Sequence, residues 1–160
     1  MSVIIGNQLV LEPVTLGLAR VHADLQAELG VPIHPQWPNP EFHDMLHSDM
    51  PAELEFWAII HVGDRQMIGE IGTKSPSHDP IQLSGTTVEI GYGIVPEYRG
   101  RGLASEAVRL LCDWLFSIAT VRVITAKTDP KNLASAKVLL KNDFQPAGKS
   151  DEGRFVFTRR

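Results

Sequence analysis

Hydrophobic positions along the chain fall into short runs separated by turn-forming residues, and the period inside the runs changes from one to the next. Residues 8–12 (QLVLE) read as a first strand, ending at Pro13. Thr15 predicts a helix cap; Leu16, Ala19, Ala23 and Ala27 then recur at helical spacing, and Gly30 is the stop after Leu29. Residues 32–40 (PIHPQWPNP) hold four prolines and require a loop, after which Glu41 to Ser48 predicts a short helix. Residues 53–62 (ELEFWAIIHV) and 66–72 (QMIGEIG), joined through Gly63-Asp64, predict a hairpin. Residues 75–85 predict a long loop, and residues 86–95 (TTVEIGYGIV) a strand stopped by Pro96.

Beyond that strand, Leu103, Ala107, Leu110, Leu111, Trp114 and Leu115 form the apolar stripe of an amphipathic helix. Residues 121–126 (VRVITA) alternate as a strand does. Asp129 or Asn132 predicts the cap of a further helix, with Leu133, Ala136, Leu139 and Leu140 on one face, and residues 144–147 and 154–158 predict two last strands. The order is β-α-α-β-β-β-α-β-α-β-β. Hairpins join the early strands and a helix joins later ones, so the expected fold is α+β: a central mixed sheet flanked by helices, in a single domain over 1–160. Trp57 and Trp114 fit the core on strand and helix respectively.

Composition narrows the function. Hydrophobic residues are 43% and charged residues 21%, the usual globular mix. No apolar run approaches the ~18 residues of a membrane span, and the start MSVIIGNQLV lacks the basic region of a signal peptide. Cys112 alone makes neither an internal disulfide nor a Cys-rich metal site. A cytoplasmic protein is the expectation. Net charge is −4 and unevenly spread: residues 1–88 carry three basic and eleven acidic side chains, residues 89–160 twelve basic and eight acidic. That asymmetry suits an anionic ligand on the second half and a cationic one on the first. There is no basic run and no zinc-finger spacing, which disfavours DNA.

The segment richest in chemistry is residues 88–105, VEIGYGIVPEYRGRGLAS. A strand, a glycine- and arginine-rich loop and a long helix follow one another. Glycines let backbone N–H groups turn toward a ligand, a helix N-terminus adds unpaired donors and partial positive charge, and Arg99 and Arg101 add full charges for a phosphate. An ordinary strand-to-helix turn with solvated arginines is the plain alternative. A Walker loop is absent, and Gly100–Ser105 as G-x-G-x-x-S only approaches the dinucleotide fingerprint, with several strands already passed.

At these residues the chain resembles a family. Arg99-x-x-Gly102-x-Ala104 matches the Q/R-x-x-G-x-G/A coenzyme-A loop of the GNAT superfamily of N-acetyltransferases. EIGYGIVPEYRGRGLASEAVRLL followed by ITAKTDPKNLASAKVLLKNDF is similar to the branch of ribosomal-protein alanine N-acetyltransferases, over roughly residues 86–147. The resemblance implies the GNAT fold, its sheet mostly antiparallel, and acetyl-CoA as co-substrate. It implies pantetheine alongside Ile94 and Val95, with an oxyanion donor from a backbone N–H near Val95. The diphosphate would lie on the amides of Arg99, Gly100, Arg101, Gly102, Leu103 and Ala104 with Ser105 beside them, and Asn132 and Ser135 would contact the coenzyme. A V-shaped splay between the strands at 86–95 and 121–127 would admit the thioester.

Acyl transfer needs a neutral amine, so a base near the acceptor is useful. Glu89 stands where several GNAT enzymes place a catalytic glutamate; an exposed strand residue or the structural partner of an arginine is the alternative. The family's usual acid, a tyrosine seven residues after the asparagine, is Leu139 here, and Ser135 is the stand-in. Asp143 replaces the glycine common before the family's phenylalanine, which alters a helix C-cap. His34, Trp37 and Phe42 are candidates to line the acceptor site. His43 and His47, at i and i+4, have no obvious third ligand, so no metal is expected, and Cys112 is expected to be inert packing.

The expected activity is direct acetyl transfer from acetyl-CoA to a primary amine, either a protein N-terminus or a small cationic amine. The alternative is a non-catalytic acetyl-CoA-binding sensor. No nucleic-acid or membrane partner is expected, and the sequence leaves a homodimer open.

Overall fold

The computed structural model describes residues 2–48, 54–74 and 86–160. Among the described residues, eight strands form one sheet: β1 (Ile4–Ile5), β2 (Leu9–Val14), β3 (Leu54–His61), β4 (Gln66–Lys74), β5 (Thr86–Ile94), β6 (Val121–Thr128), β7 (Gln145–Lys149) and β8 (Phe155–Arg159). They lie in the order β1-β2-β3-β4-β5-β6-β8-β7. Only β5 and β6 run parallel; the other neighbours are antiparallel. The helices are α1 (Leu16–Ala19), α2 (His22–Leu29), α3 (Pro40–Leu46), α4 (Leu103–Ser117) and α5 (Leu133–Lys141), with a 3-10 turn at Pro96–Tyr98. The loop expected over residues 75–85 and the strand start at Glu53 lie outside the described residues.

The mixed sheet and its helices match expectation, and the differences have local causes. β2 runs through Pro13 to Val14. Val62 donates to the Gln8 carbonyl, so by ladder alternation the Pro13 nitrogen points away from β3. β1 covers only Val10 and Leu11 there, so no bond is lost. The helix expected from Thr15 to Leu29 is two helices. Val21 is extended (φ −115°, ψ 99°), and the Arg20 side chain donates to the Leu46 carbonyl at the end of α3. Leu25, not Ala23 or Ala27, is the buried residue of α2. Gly30 ends α2 at φ +66°.

Helix α4 buries the expected stripe, Leu103, Ala107, Leu110, Leu111 and Leu115, with Cys112 beside them. The Trp57 and Trp114 rings meet edge to face at 5.3 Å. Glu106 is also buried on α4, where it accepts from the Gln8 backbone N–H (2.9 Å) and Nε2 (3.2 Å). That pair ties the helix to the β1–β2 turn. On α5 only Leu139 is fully buried; Leu133 and Leu140, expected on the same face, are exposed. Asp143, in the glycine-like position after α5, adopts φ +65°.

Candidate active site

The loop between β5 and α4 is held from below by the first half of the chain. Tyr98 donates its hydroxyl to Asp64 in the β3–β4 turn. This bond, ahead of any effect of burial, holds the Asp64 carboxyl below its usual range and raises the Tyr98 phenol. His34, nearly fully buried, bonds the Glu97 carboxylate at 2.6 Å through Nε2. Arg101 lies over the Tyr98 ring, 4.7 Å from its centroid, and Arg99 Nε donates to the Ile94 carbonyl at 2.9 Å.

Gly100 and Gly102 take φ +75° and +77°, and a Cβ on either would meet nothing within 4 Å. These are left-handed conformations that glycine adopts without strain. No side chain caps α4 at Gly102, so the N–H groups of its first turn, which have no partner within the helix, are left for a ligand or solvent. The Leu103 side chain belongs to the core, so of this residue only the backbone serves a ligand. The loop therefore fits an anionic diphosphate: free amides, two guanidinium groups and no Cβ in the way.

Next to the loop the sheet opens. β5 and β6 pair as far as Ile90↔Ala126, whereas β4 stays with β5 to Ile94. The last four residues of β5 therefore have a strand on one side only. Val95 donates its N–H to the Ile68 carbonyl at 2.9 Å. In an antiparallel ladder, bonded and non-bonded residues alternate. Gly91, Gly93 and Val95 thus face β4, and the N–H and C=O of Tyr92 and Ile94 face the gap. This corrects the placement of a ligand along Ile94 and Val95. The Val95 N–H is already bonded to Ile68, so of the two residues expected along the ligand only Ile94 turns its backbone to the gap, with Tyr92 beside it.

Across the gap stands α5. The Asn132 side chain caps it, accepting from the Ser135 N–H at 3.1 Å. The Ser135 Oγ lies 2.8 Å from the Tyr92 hydroxyl. Burial pushes the Tyr92 phenol up to about 12, against a smaller opposing effect of the Ser135 hydrogen bond. Nothing in the local sequence around Tyr92 signals that its ring reaches α5. Asn142, at the other end of α5, donates to the carbonyl and hydroxyl of Ser105, locking α5 to the first turn of α4.

On the opposite face, between α3 and the sheet, lies a cavity of about 130 Å³. Its walls are Leu16, Phe42, Met45 and Phe56; its floor includes Glu70, Gly72, Gly91 and Tyr92. Register partners share a face, so Glu70 with Gly93, Gly72 with Gly91 and Lys74 with Glu89 all lie on this side. A Cβ on Gly91 would meet nothing within 4 Å; the floor is open at that point.

Of the three expected acceptor residues, Phe42 lines this cavity, but His34 and Trp37 do not. His34 is committed to Glu97. Trp37 is buried, with its indole N–H donating to Glu70 Oε2 at 2.6 Å. Glu70 itself was missed: in QMIGEIG it reads as the polar member of a strand. Burial pushes its carboxyl up to about 8, with the Trp37 bond opposing. Glu89 pairs with Lys127 Nζ at 3.2 Å, so its partner is a lysine on the neighbouring strand rather than an arginine.

His43 and His47 stack at 4.6 Å between ring centroids. Among the described residues, no group of three or more His, Cys, Asp or Glu side chains is placed to hold a metal. Burial pushes the Cys112 thiol up to about 11, so it stays protonated and unreactive. Among the described residues no helix is long and apolar enough to cross a membrane.

Comparisons with known proteins agree with this geometry. The chain is 29% identical over 158 residues to the N-acetyltransferase YjdG of Bacillus subtilis, covering 91% of each. The ribosomal-protein-S5-alanine acetyltransferase of Vibrio fischeri superposes with a TM-score of 0.67 at 18% identity, over 99% of this chain and 96% of that one. The aminoglycoside acetyltransferase AAC(6')-Ib, solved with coenzyme A and kanamycin, gives 0.69 at 18% identity over 94% of both chains. These structural likenesses establish the shared fold. The acetyltransferase (GNAT) domain model matches residues 9–145. With its glycine–arginine loop and parted parallel strands, the chain belongs to the GNAT acetyltransferase family and is an acyl-CoA-dependent acetyltransferase.

Proposed function

We propose that the chain transfers the acetyl group of acetyl-CoA directly to a primary amine that enters from the α3 side of the sheet. The observation that carries this reading is the opening along Gly91–Ile94. Gly91 and Tyr92 line the cavity under α3, and Ile94 leads into the glycine–arginine loop. Bound acetyl-CoA supplies an activated acetyl thioester and a thiol leaving group.

The residues of the chain divide the remaining work. Backbone amides from Arg99 to Ala104 and the two arginines hold the diphosphate. The outward-facing amides of Tyr92 and Ile94 supply hydrogen bonds to the arm and to the developing oxyanion. The Ser135 hydroxyl, backed by Tyr92, delivers a proton to the departing sulfur. Cys112 is buried in α4 with its thiol protonated, which supports direct transfer over an acyl-enzyme. The acidic balance of the first 88 residues supports a cationic acceptor. A protein N-terminus and a small amine both fit that description.

The sensor reading was motivated by Leu139 at the usual acid position. Leu139 is a core residue; the Ser135 hydroxyl on the same helix, bonded to the Tyr92 hydroxyl, supports turnover over the sensor. The test is calorimetry with coenzyme A, followed by thiol release from acetyl-CoA against primary amines and short peptides of varied N-terminal residue. Binding with amine-dependent thiol release is expected. No heat would remove the transferase reading; binding without turnover across the panel would favour the sensor.

A further inference from the structure

One buried carboxylate has no part in the work just described. Glu70 is only 5% exposed. It sits mid-strand in β4 opposite Gly93, so close that a Cβ there would lie 2.5 Å from its Oε1. Its other oxygen is fixed by Trp37. The cavity beside it is walled by Leu16, Phe42, Met45 and Phe56.

We infer that the acceptor is a primary amine carried on a small apolar body, seated in this cavity, and that Glu70 takes the proton its nitrogen must lose. This rests on the acetyl-transfer reading above.

Position argues for Glu70 over Glu89. Glu70 faces Gly93, one residue from the Tyr92 amide, and bonded antiparallel partners lie ~5.5 Å apart. Glu89 is three residues back along β5, roughly 10 Å, within the part of the strand still paired to β6 and held by Lys127. Gly91 has open space above it, whereas the space over Gly93 is taken by Glu70 Oε1 and the Asn39 amide nitrogen, so the path of the amine nitrogen to the gap runs over Gly91 beside Glu70. The other polar groups around the cavity are placed differently. Glu41 on α3 is exposed and bound by Arg154 at 2.9 Å. Glu55 on β3 is exposed, Lys74 lies near the end of β4, and the Tyr92 hydroxyl is turned to α5. Burial raises the proton affinity of Glu70 from the ordinary carboxylate range toward that of an amine, which suits a group that must both take and release a proton near neutral pH.

The step balances. The ammonium gives one proton to the Glu70 carboxylate, and the freed lone pair forms the C–N bond at the thioester carbonyl. The C–S bond then breaks, and the second nitrogen proton ends on sulfur by way of the Ser135 hydroxyl. Glu70 returns its proton to water, and one proton is released per turnover.

The test uses 2-phenylethylamine with acetyl-CoA. The unsubstituted protein should release thiol with this amine. Glu70→Gln, which keeps an acceptor for Trp37, should lower kcat/KM at pH 8 about 100-fold and remove the rise of the pH profile through about 8, with coenzyme A affinity within twofold. A second measurement needs no variant: the Trp37 indole 15N resonance should titrate with Glu70. Its midpoint should fall when 2-phenylethylamine is added to the coenzyme-A-loaded protein. Coenzyme binding with no turnover of 2-phenylethylamine, a Gln variant within threefold of the parent, or an unmoved Trp37 midpoint overturns this inference alone. Failure to bind coenzyme A overturns the transfer reading, and this one with it.

Discussion

The Tyr92 hydroxyl bridges to α5, lying 2.8 Å from Ser135 Oγ and 3.2 Å from the Ser135 carbonyl. A strand residue thus spans the gap and places two hydroxyl groups in series. With the Tyr92 phenol pushed up to about 12, it stays protonated through the neutral range and can replace a proton given up by Ser135. Ser135→Ala should lower kcat about 100-fold with coenzyme A affinity retained. Tyr92→Phe should give a smaller loss in the same direction. Thiol-release kinetics beside calorimetry check this; a Ser135→Ala variant with unaltered kcat removes the relay.

Arg99 does two things at once, donating Nε to the Ile94 carbonyl while its charge stands at the loop. Arg101 rests on the Tyr98 ring and donates to the Glu97 carbonyl at 3.2 Å. Arg99→Ala and Arg101→Ala should each weaken coenzyme A binding by about 1–3 kcal/mol. Arg99→Ala should also lower kcat, because the end of β5 loses its brace. Calorimetry on both variants is the measurement. Unchanged affinity in both would place the diphosphate elsewhere.

Gly91 lies on the cavity side of β5 with open space above it, so a methyl group fits the folded protein and narrows the passage between cavity and gap. Gly91→Ala should keep the melting temperature and coenzyme affinity of the parent and raise the KM for the amine about tenfold or more. A KM that stays put would mean that the acceptor does not cross this part of the strand.

Much of this site was legible in local sequence because its parts are contiguous. The loop glycines, the α4 stripe and the Asn132 cap each depend on neighbours within a few residues. What escaped depends on distant contacts. Glu70 owes its burial to Trp37, thirty-three residues away, and Tyr92 reaches Ser135 across forty-three. Neither pairing leaves a periodic trace in the chain. The amide direction of Val95 was likewise hidden, since it is set by the register with β4. The break at Val21 and the exposure of Leu133 and Leu140 are decided by what the helices pack on, and spacing alone cannot supply that.

Glu70 also makes a prediction about stability that is separate from catalysis. Its carboxyl titrates near the model-peptide value, about 4.5, when the chain is unfolded, and near 8 when folded. Between those values the folded protein binds a proton that the unfolded chain does not. The slope of unfolding free energy with pH is therefore negative in that window. The contribution is fully present below about pH 4.5 and is lost as pH rises through 8, on the order of a few kcal/mol in all. Glu70→Gln, which has no proton to lose, should be flat in this respect and gain on the parent as pH increases. Urea midpoints of the two proteins from pH 5 to pH 9 measure it, since titrations at other residues cancel in the difference. A gap between the two curves that does not change with pH would show that Glu70 is already ionised in the folded chain. The burial beneath Trp37 would then be too wet to hold its proton.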